Sequence, residues 1–109
     1  MFARHVTMQL KHEGIREYPR LIEKEILPLL RKQKGFVEEF VLITPNQFET
    51  VAISLWEEKE HAEKYNREVY PEIVKLLNRY VEGTPVVKEF ELQYATIPAF
   101  QKFAKAVTV

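Results

Sequence analysis

Apolar and polar positions change period along this chain, and the changes divide it into elements. From Phe2 to Leu10 they alternate: Phe2, Arg4, Val6, Met8 and Leu10 share one parity, Ala3, His5, Thr7 and Gln9 the other. That is the spacing of a strand, and its first parity should face the main core. After a polar connection, Lys11 to Gly14, the step lengthens. Ile15, Tyr18, Ile22, Ile26, Leu29 and Leu30 lie mostly three and four apart, as on one face of an amphipathic helix. Pro19 falls near the first turn, where a missing N–H does no harm, whereas Pro28 falls mid-helix and predicts a kink or local unwinding. Gly35 supplies the stop. Phe36 to Ile43 and Thr50 to Trp56 are dense in β-branched and aromatic residues, and the TPNQFE between them carries Pro45 and Asn46. The pair reads as a β-hairpin.

An acidic run, Glu57, Glu58 and Glu60, then suits a helix N-terminus, followed by Ala62, Tyr65 and Val69 at helical spacing. Tyr70-Pro71 breaks or restarts that helix. Ile73, Leu76, Leu77, Tyr80 and Val81 continue it, and Gly83 is expected to end it. The last strand is expected over Pro85 to Ala95, with Val86, Phe90, Leu92 and Tyr94 on one face and Glu89, Glu91 and Gln93 on the other. The order is β-α-β-β-α-β, an α+β ferredoxin-like domain of four antiparallel strands with its helices on one face. Val51, Ile53 and Leu55 alternate with Ala52, Ser54 and Trp56, so neither face of that strand is clearly polar. An apolar sheet face without helices points to a homodimer in which two sheets meet by two-fold symmetry. The domain is placed at residues 1–96. Residues 97–109, with Phe100, Phe103 and Val107, form a tail read either as a weak helix or as an arm packing on the dimer partner.

Composition narrows the chemistry. A chain of 109 residues is one domain with room for a core of its own. Sixteen basic side chains balance sixteen acidic ones, which gives no electrostatic reason to expect nucleic acid or an anionic membrane as partner. The basic cluster from Arg31 to Lys34 is read as the charged last turn of a helix, complementing its dipole. There is no cysteine, so disulfides, thiolate catalysis and cysteine-rich metal sites are excluded. No signal peptide or membrane-spanning run is visible, and a cytoplasmic protein is expected. The three glycines are far apart, which rules out a phosphate-cradling loop, and no G-x-S-x-G elbow occurs. His12 in a loop and His61 on a charged helix are expected to be solvated, and no histidine pair has metal-ligand spacing.

Three stretches resemble the antibiotic-biosynthesis monooxygenase family: EILPLLRKQKGF from Glu25 to Phe36, AISLWEEKEHAEKY from Ala52 to Tyr65, and VVKEFEL from Val86 to Leu92. The resemblance runs through Tyr94 and implies a dimeric α+β barrel. It also implies oxidation of a small aromatic or apolar substrate without metal, flavin or haem, the substrate itself supplying electrons to oxygen. Much of the shared pattern is scaffold, so a non-catalytic small-molecule-binding or stress-response barrel is the alternative. A related group degrades haem. This chain departs from it, placing Tyr65 where that group has a tryptophan and Lys75 where it has the axial histidine, with no asparagine on the first strand.

Cofactor-free oxygenation needs an apolar cavity, a group to take a proton and polar groups to orient the substrate. His5 is the candidate catalytic residue, because neutral imidazole titrates near physiological pH. Its structural reading is a polar residue at the dimer face. Trp56, Tyr65 and Tyr70 are the candidate substrate-binding residues. Trp56 equally suits anchoring helix to sheet, and the two tyrosines, which flank the broken helix, equally suit core packing.

Overall fold

A computed structural model of the chain describes residues 1–101. The elements are β1 (Phe2–Leu10), α1 (Gly14–Leu21), a π-helical segment (Ile22–Ile26), α2 (Leu27–Arg31), β2 (Phe36–Ile43), β3 (Glu49–Trp56), α3 (Lys59–Glu68), α4 (Tyr70–Leu77), β4 (Val81–Glu91) and α5 (Pro98–Gln101). The strands form one sheet in the order β2-β3-β1-β4, every neighbouring pair antiparallel. This is the ferredoxin-like arrangement expected from the sequence.

Local chemistry explains the irregularities. Pro28 has no N–H to give to the carbonyl four residues back, and its ring crowds that carbonyl. The helix widens just before it: the Leu27 N–H bonds the Ile22 carbonyl five residues back, which makes Ile22–Ile26 a π segment. Pro19 lies past the first turn rather than in it, because α1 already begins at Gly14. In the hairpin, the Asn46 side-chain oxygen accepts from the Thr44 hydroxyl at 2.7 Å and from the Phe48 N–H at 3.0 Å. Gln47 takes the left-handed position, φ 68°. The second helical region breaks at Val69, and Pro71 sits in the first turn of α4.

Three further expectations are corrected. The last strand runs over Val81–Glu91, not Pro85 to Ala95. Val81 pairs with Leu10 and Glu82 with Gln9 before the register shifts, and pairing resumes at Val86 with Thr7. Gly83, φ 65°, sits within this bulge, so its backbone freedom bends a strand rather than ending a helix. His61 is half-buried rather than solvated, because it packs over Gly35, where a Cβ would overlap its imidazole. The tail begins with α5, and residues 102–109, including Phe103 and Val107, lie outside the described residues.

Pairing register sorts the side chains. Phe2, Val6, Met8, Leu10 and Trp56 face the helices and form the core with Tyr18, Ile26, Leu30, Ala62, Tyr65, Ile73 and Leu77. The opposite face carries His5, Phe40, Leu42, Val86 and Phe90, with Leu42, Val86 and Phe90 each more than half exposed.

Candidate functional site

The covered face of the sheet is not uniformly apolar. Glu39 of β2 pairs with Ser54 of β3, and Ser54 pairs with Arg4 of β1, so three polar side chains lie in one row across adjacent strands beneath the helices. Above them the broken helix does not close completely. A cavity of about 40 Å³ lies there, lined by Arg4, Glu39, Ser54, Tyr18, Tyr65 and Tyr70 among apolar groups that include Met8, Ile22, Leu27 and Ile73. Among its lining residues Ile22, Leu27 and Tyr70 on the helices are only half-buried. The π segment therefore borders the cavity, as such segments often do at functional sites.

Arg4 is 1% exposed. Its Nη2 donates to Asn66 Oδ1 at 2.8 Å, and the guanidinium lies 4.4 Å from the Tyr70 ring centroid and 5.1 Å from that of Tyr65. Burial pushes the Glu39 carboxyl up from 4.5 to about 8; Arg4 opposes the shift and Glu38 adds to it. Desolvation outweighs the neighbouring cation, so the carboxyl is mostly protonated at neutral pH. Burial likewise raises Tyr18 to about 12, against the hydrogen bond with Thr50. Tyr65 and Tyr70 are raised by burial too, with Arg4 opposing in each case. The cavity thus holds a fixed cation, a neutral acid and un-ionised phenols.

Of the residues singled out in the sequence, Tyr65 and Tyr70 line the cavity, with ring centroids 6.2 Å apart. Trp56 lies behind the wall. It is fully buried, tilted against Tyr65 with ring centroids 4.9 Å apart and edge-on to Phe36, and its Nε1–H donates to Ser54 Oγ at 2.9 Å. That is the helix-to-sheet anchor. His5 is on the other side of the sheet, because it has the opposite parity to Arg4; it stands edge-on to Phe90, 6.1 Å away. Arg4, Glu39 and Ser54 were missed as a site. The available signal was a charged residue at core parity, Arg4 among Phe2, Val6, Met8 and Leu10. Among the described residues no three acidic or histidine side chains converge as metal ligands, and no helix is long and apolar enough to cross a membrane.

No protein-family model matches the sequence, and no curated protein matches it. Solved structures do match. A candidate antibiotic biosynthesis monooxygenase from Deinococcus radiodurans superposes with a TM-score of 0.73 at 15% identity, over 87% of this chain and 95% of that one. SnoaB, a cofactor-independent oxygenase from Streptomyces nogalater, gives 0.73 at 15% identity over 89% and 96%. The chain has the antibiotic-biosynthesis monooxygenase fold. A third example of this fold, the ActVA-Orf6 monooxygenase of Streptomyces coelicolor in complex with nanaomycin D, gives 0.68 at 16% identity over 89% and 91%. At these identities the monooxygenase fold is what is shared, and chemistry must be argued from the side chains of the cavity.

Proposed function

We propose that the chain acts in the cytoplasm as a homodimer whose subunit cavity takes a small aromatic or apolar molecule and oxygenates it without metal or flavin. One observation carries this reading: Glu39, raised to about 8, lies in one row with Ser54 and Arg4 across adjacent strands and shares a largely apolar cavity with that cation. A general base is most effective when its pKa lies near the operating pH, and desolvation is a usual way to bring a carboxyl there. In its ionised form Glu39 takes the proton of an acidic C–H, and Arg4 stabilises the negative charge that develops. The carbanion gives its electrons to molecular oxygen. The peroxide so formed loses water, leaving one oxygen atom in a new carbonyl and the other in the water. The fold shared with SnoaB supports oxygen as the oxidant; the cavity residues support the proton transfer. On this reading His5 belongs to the subunit interface.

The interface proposal rests on the open sheet face. Phe40, Leu42, Val86 and Phe90 form an apolar surface on four-stranded geometry that a second copy can match by two-fold symmetry. Sedimentation should give a dimer, and Phe90→Asp a monomer; a monomeric parent protein would remove the homodimer from the reading.

The chemistry is tested by oxygen uptake with anthrone, whose methylene is acidified by a ketone and two rings. Glu39→Gln should lower the rate at least about 100-fold, the scale of general-base catalysis, while His5→Ala keeps it. Equal rates for Glu39→Gln and the parent would take Glu39 out of the mechanism. The size of the cavity favours a second reading, a binding module without turnover: about 40 Å³ holds only a few water-sized groups, so a ring system enters only if Ile22, Leu27 and Tyr70 swing outward. Saturable nanaomycin D binding with no oxygen uptake from anthrone would select it.

A further inference from the structure

The same cavity contains a buried cation without an ion-pair partner among the described residues. Arg4 is almost completely buried, yet its partners are the Asn66 amide, the Tyr65 hydroxyl and the rings of Tyr65 and Tyr70, with Glu39 acting on it only through space. Among the described residues no acidic side chain forms an ion pair with it. Its Nε–H, buried with the rest, meets no acceptor in the protein. Buried arginines are nearly always paired, because an uncompensated charge in a low-dielectric interior is strongly disfavoured. The tyrosine rings stabilise the face of the guanidinium and leave the Nε edge unsatisfied.

The next residue in register supplies a second donor. Ser54 pairs with Arg4, and its Oγ accepts from Trp56 Nε1–H, so the hydroxyl hydrogen remains for another acceptor. Arg4 and Ser54 are cross-strand partners on one face, and both line the same cavity. Around these donors the lining is apolar, with Ile22, Leu27 and Ile73 facing them from the helices.

We propose that the ligand of this cavity is an apolar molecule bearing one carboxylate, which accepts from Arg4 Nε and the Ser54 hydroxyl while the hydrocarbon body packs against Ile22, Leu27 and Ile73. The proposal rests on the cavity being the small-molecule site and adds the charge and anchoring group of what enters it. One cation and one hydroxyl match a monoanion. A phosphate carries more charge and more acceptors than these donors serve. Glu39, beyond Ser54 in the same row, sets the pH range. The groups that act on it are Arg4, Glu38, Tyr18 and Tyr65, and both phenols stay protonated. As pH rises through about 8 a growing fraction of Glu39 is ionised, and its charge weakens the binding of a second carboxylate without being needed for it.

The test is a titration of the full chain, followed by NMR, at pH 6.5 with benzoate, hexanoate, the corresponding amides and inorganic phosphate. The acids should bind at least about tenfold more tightly than their amides. Arg4→Gln should abolish that difference, Ser54→Ala should reduce it, and Glu39→Gln should remove the loss of acid binding above pH 8. Amides binding as well as acids, phosphate binding better than either, or folded Arg4→Gln binding acids undiminished would each overturn the carboxylate proposal and leave the cavity reading intact. If neither acids nor amides shift the resonances of Tyr65, Tyr70 and Leu27, the cavity reading falls with it.

Discussion

Glu39 gives the fold a pH dependence that can be measured without knowing any ligand. In the unfolded chain its carboxyl titrates at the ordinary 4.5, and in the folded chain at about 8. Between those values the native state holds a proton that the unfolded state has released. The contribution of this group is therefore most favourable below about 4.5, falls as pH rises, and levels off above about 8. At about 1.4 kcal/mol per pH unit the full span sets an upper bound of about 5 kcal/mol. A half-buried side chain is partly screened by water, which brings the expected loss between pH 5.5 and 8.5 to about 2 kcal/mol. Glu39→Gln keeps the shape and cannot ionise. Urea denaturation of both proteins at the two pH values isolates the effect, since every other titrating group is common to them. The parent protein should lose about 2 kcal/mol more than the variant between pH 5.5 and 8.5, with unchanged m-values. Parallel loss in the two proteins would mean that Glu39 ionises as an ordinary surface carboxyl, and the general-base argument would fall with it.

Three other substitutions test the architecture. Arg4→Met removes the unpaired buried charge, and relief of its desolvation offsets two cation–π contacts and a hydrogen bond. Urea midpoints should correspond to stability within about 1 kcal/mol of the parent or above it, whereas a loss beyond about 3 kcal/mol would make Arg4 a structural residue. Gly35→Ala combines the cost of φ 80° with a clash against His61 and should destabilise by about 2–4 kcal/mol. Adding His61→Ala should restore the clash share and leave about 1–2 kcal/mol of backbone cost; no recovery in thermal melts would refute the contact. Trp56→Phe loses the bond to Ser54 and part of a fully buried ring system, and should cost about 2 kcal/mol in the same assay.

Periodicity carried the fold well because each element has one buried face. The parity of Phe2 to Leu10, the hairpin around Asn46 and the distortion before Pro28 could all be read locally, since the forces that set them act within a few residues. β4 could not be read this way. Val81 has the spacing of the preceding helix, yet its place is decided by pairing with Leu10, a contact made across the whole chain. Gly83 was open to either use, because positive φ serves a helix end and a strand bulge equally.

The site was hidden for the same reason, in a stronger form. Glu39, Ser54 and Arg4 come from three strands and become neighbours only through register. Taken singly, each looks unremarkable: a serine on a strand, one of two adjacent glutamates, an arginine near the start. His5 attracted notice because its intrinsic pKa suits proton transfer, but an intrinsic pKa says nothing about which face of a sheet a side chain occupies. Parity does say that, and it sends His5 to the open face and Arg4 to the closed one. The better rule for a strand of this kind is to ask which polar residue falls where only apolar ones belong. Burying a guanidinium on the core face with Phe2, Val6 and Met8 opposes folding, which makes such a residue the first place to look for a charge that is used. Arg4 meets that description more closely than any histidine in the chain, and it is the residue whose removal should separate stability from function.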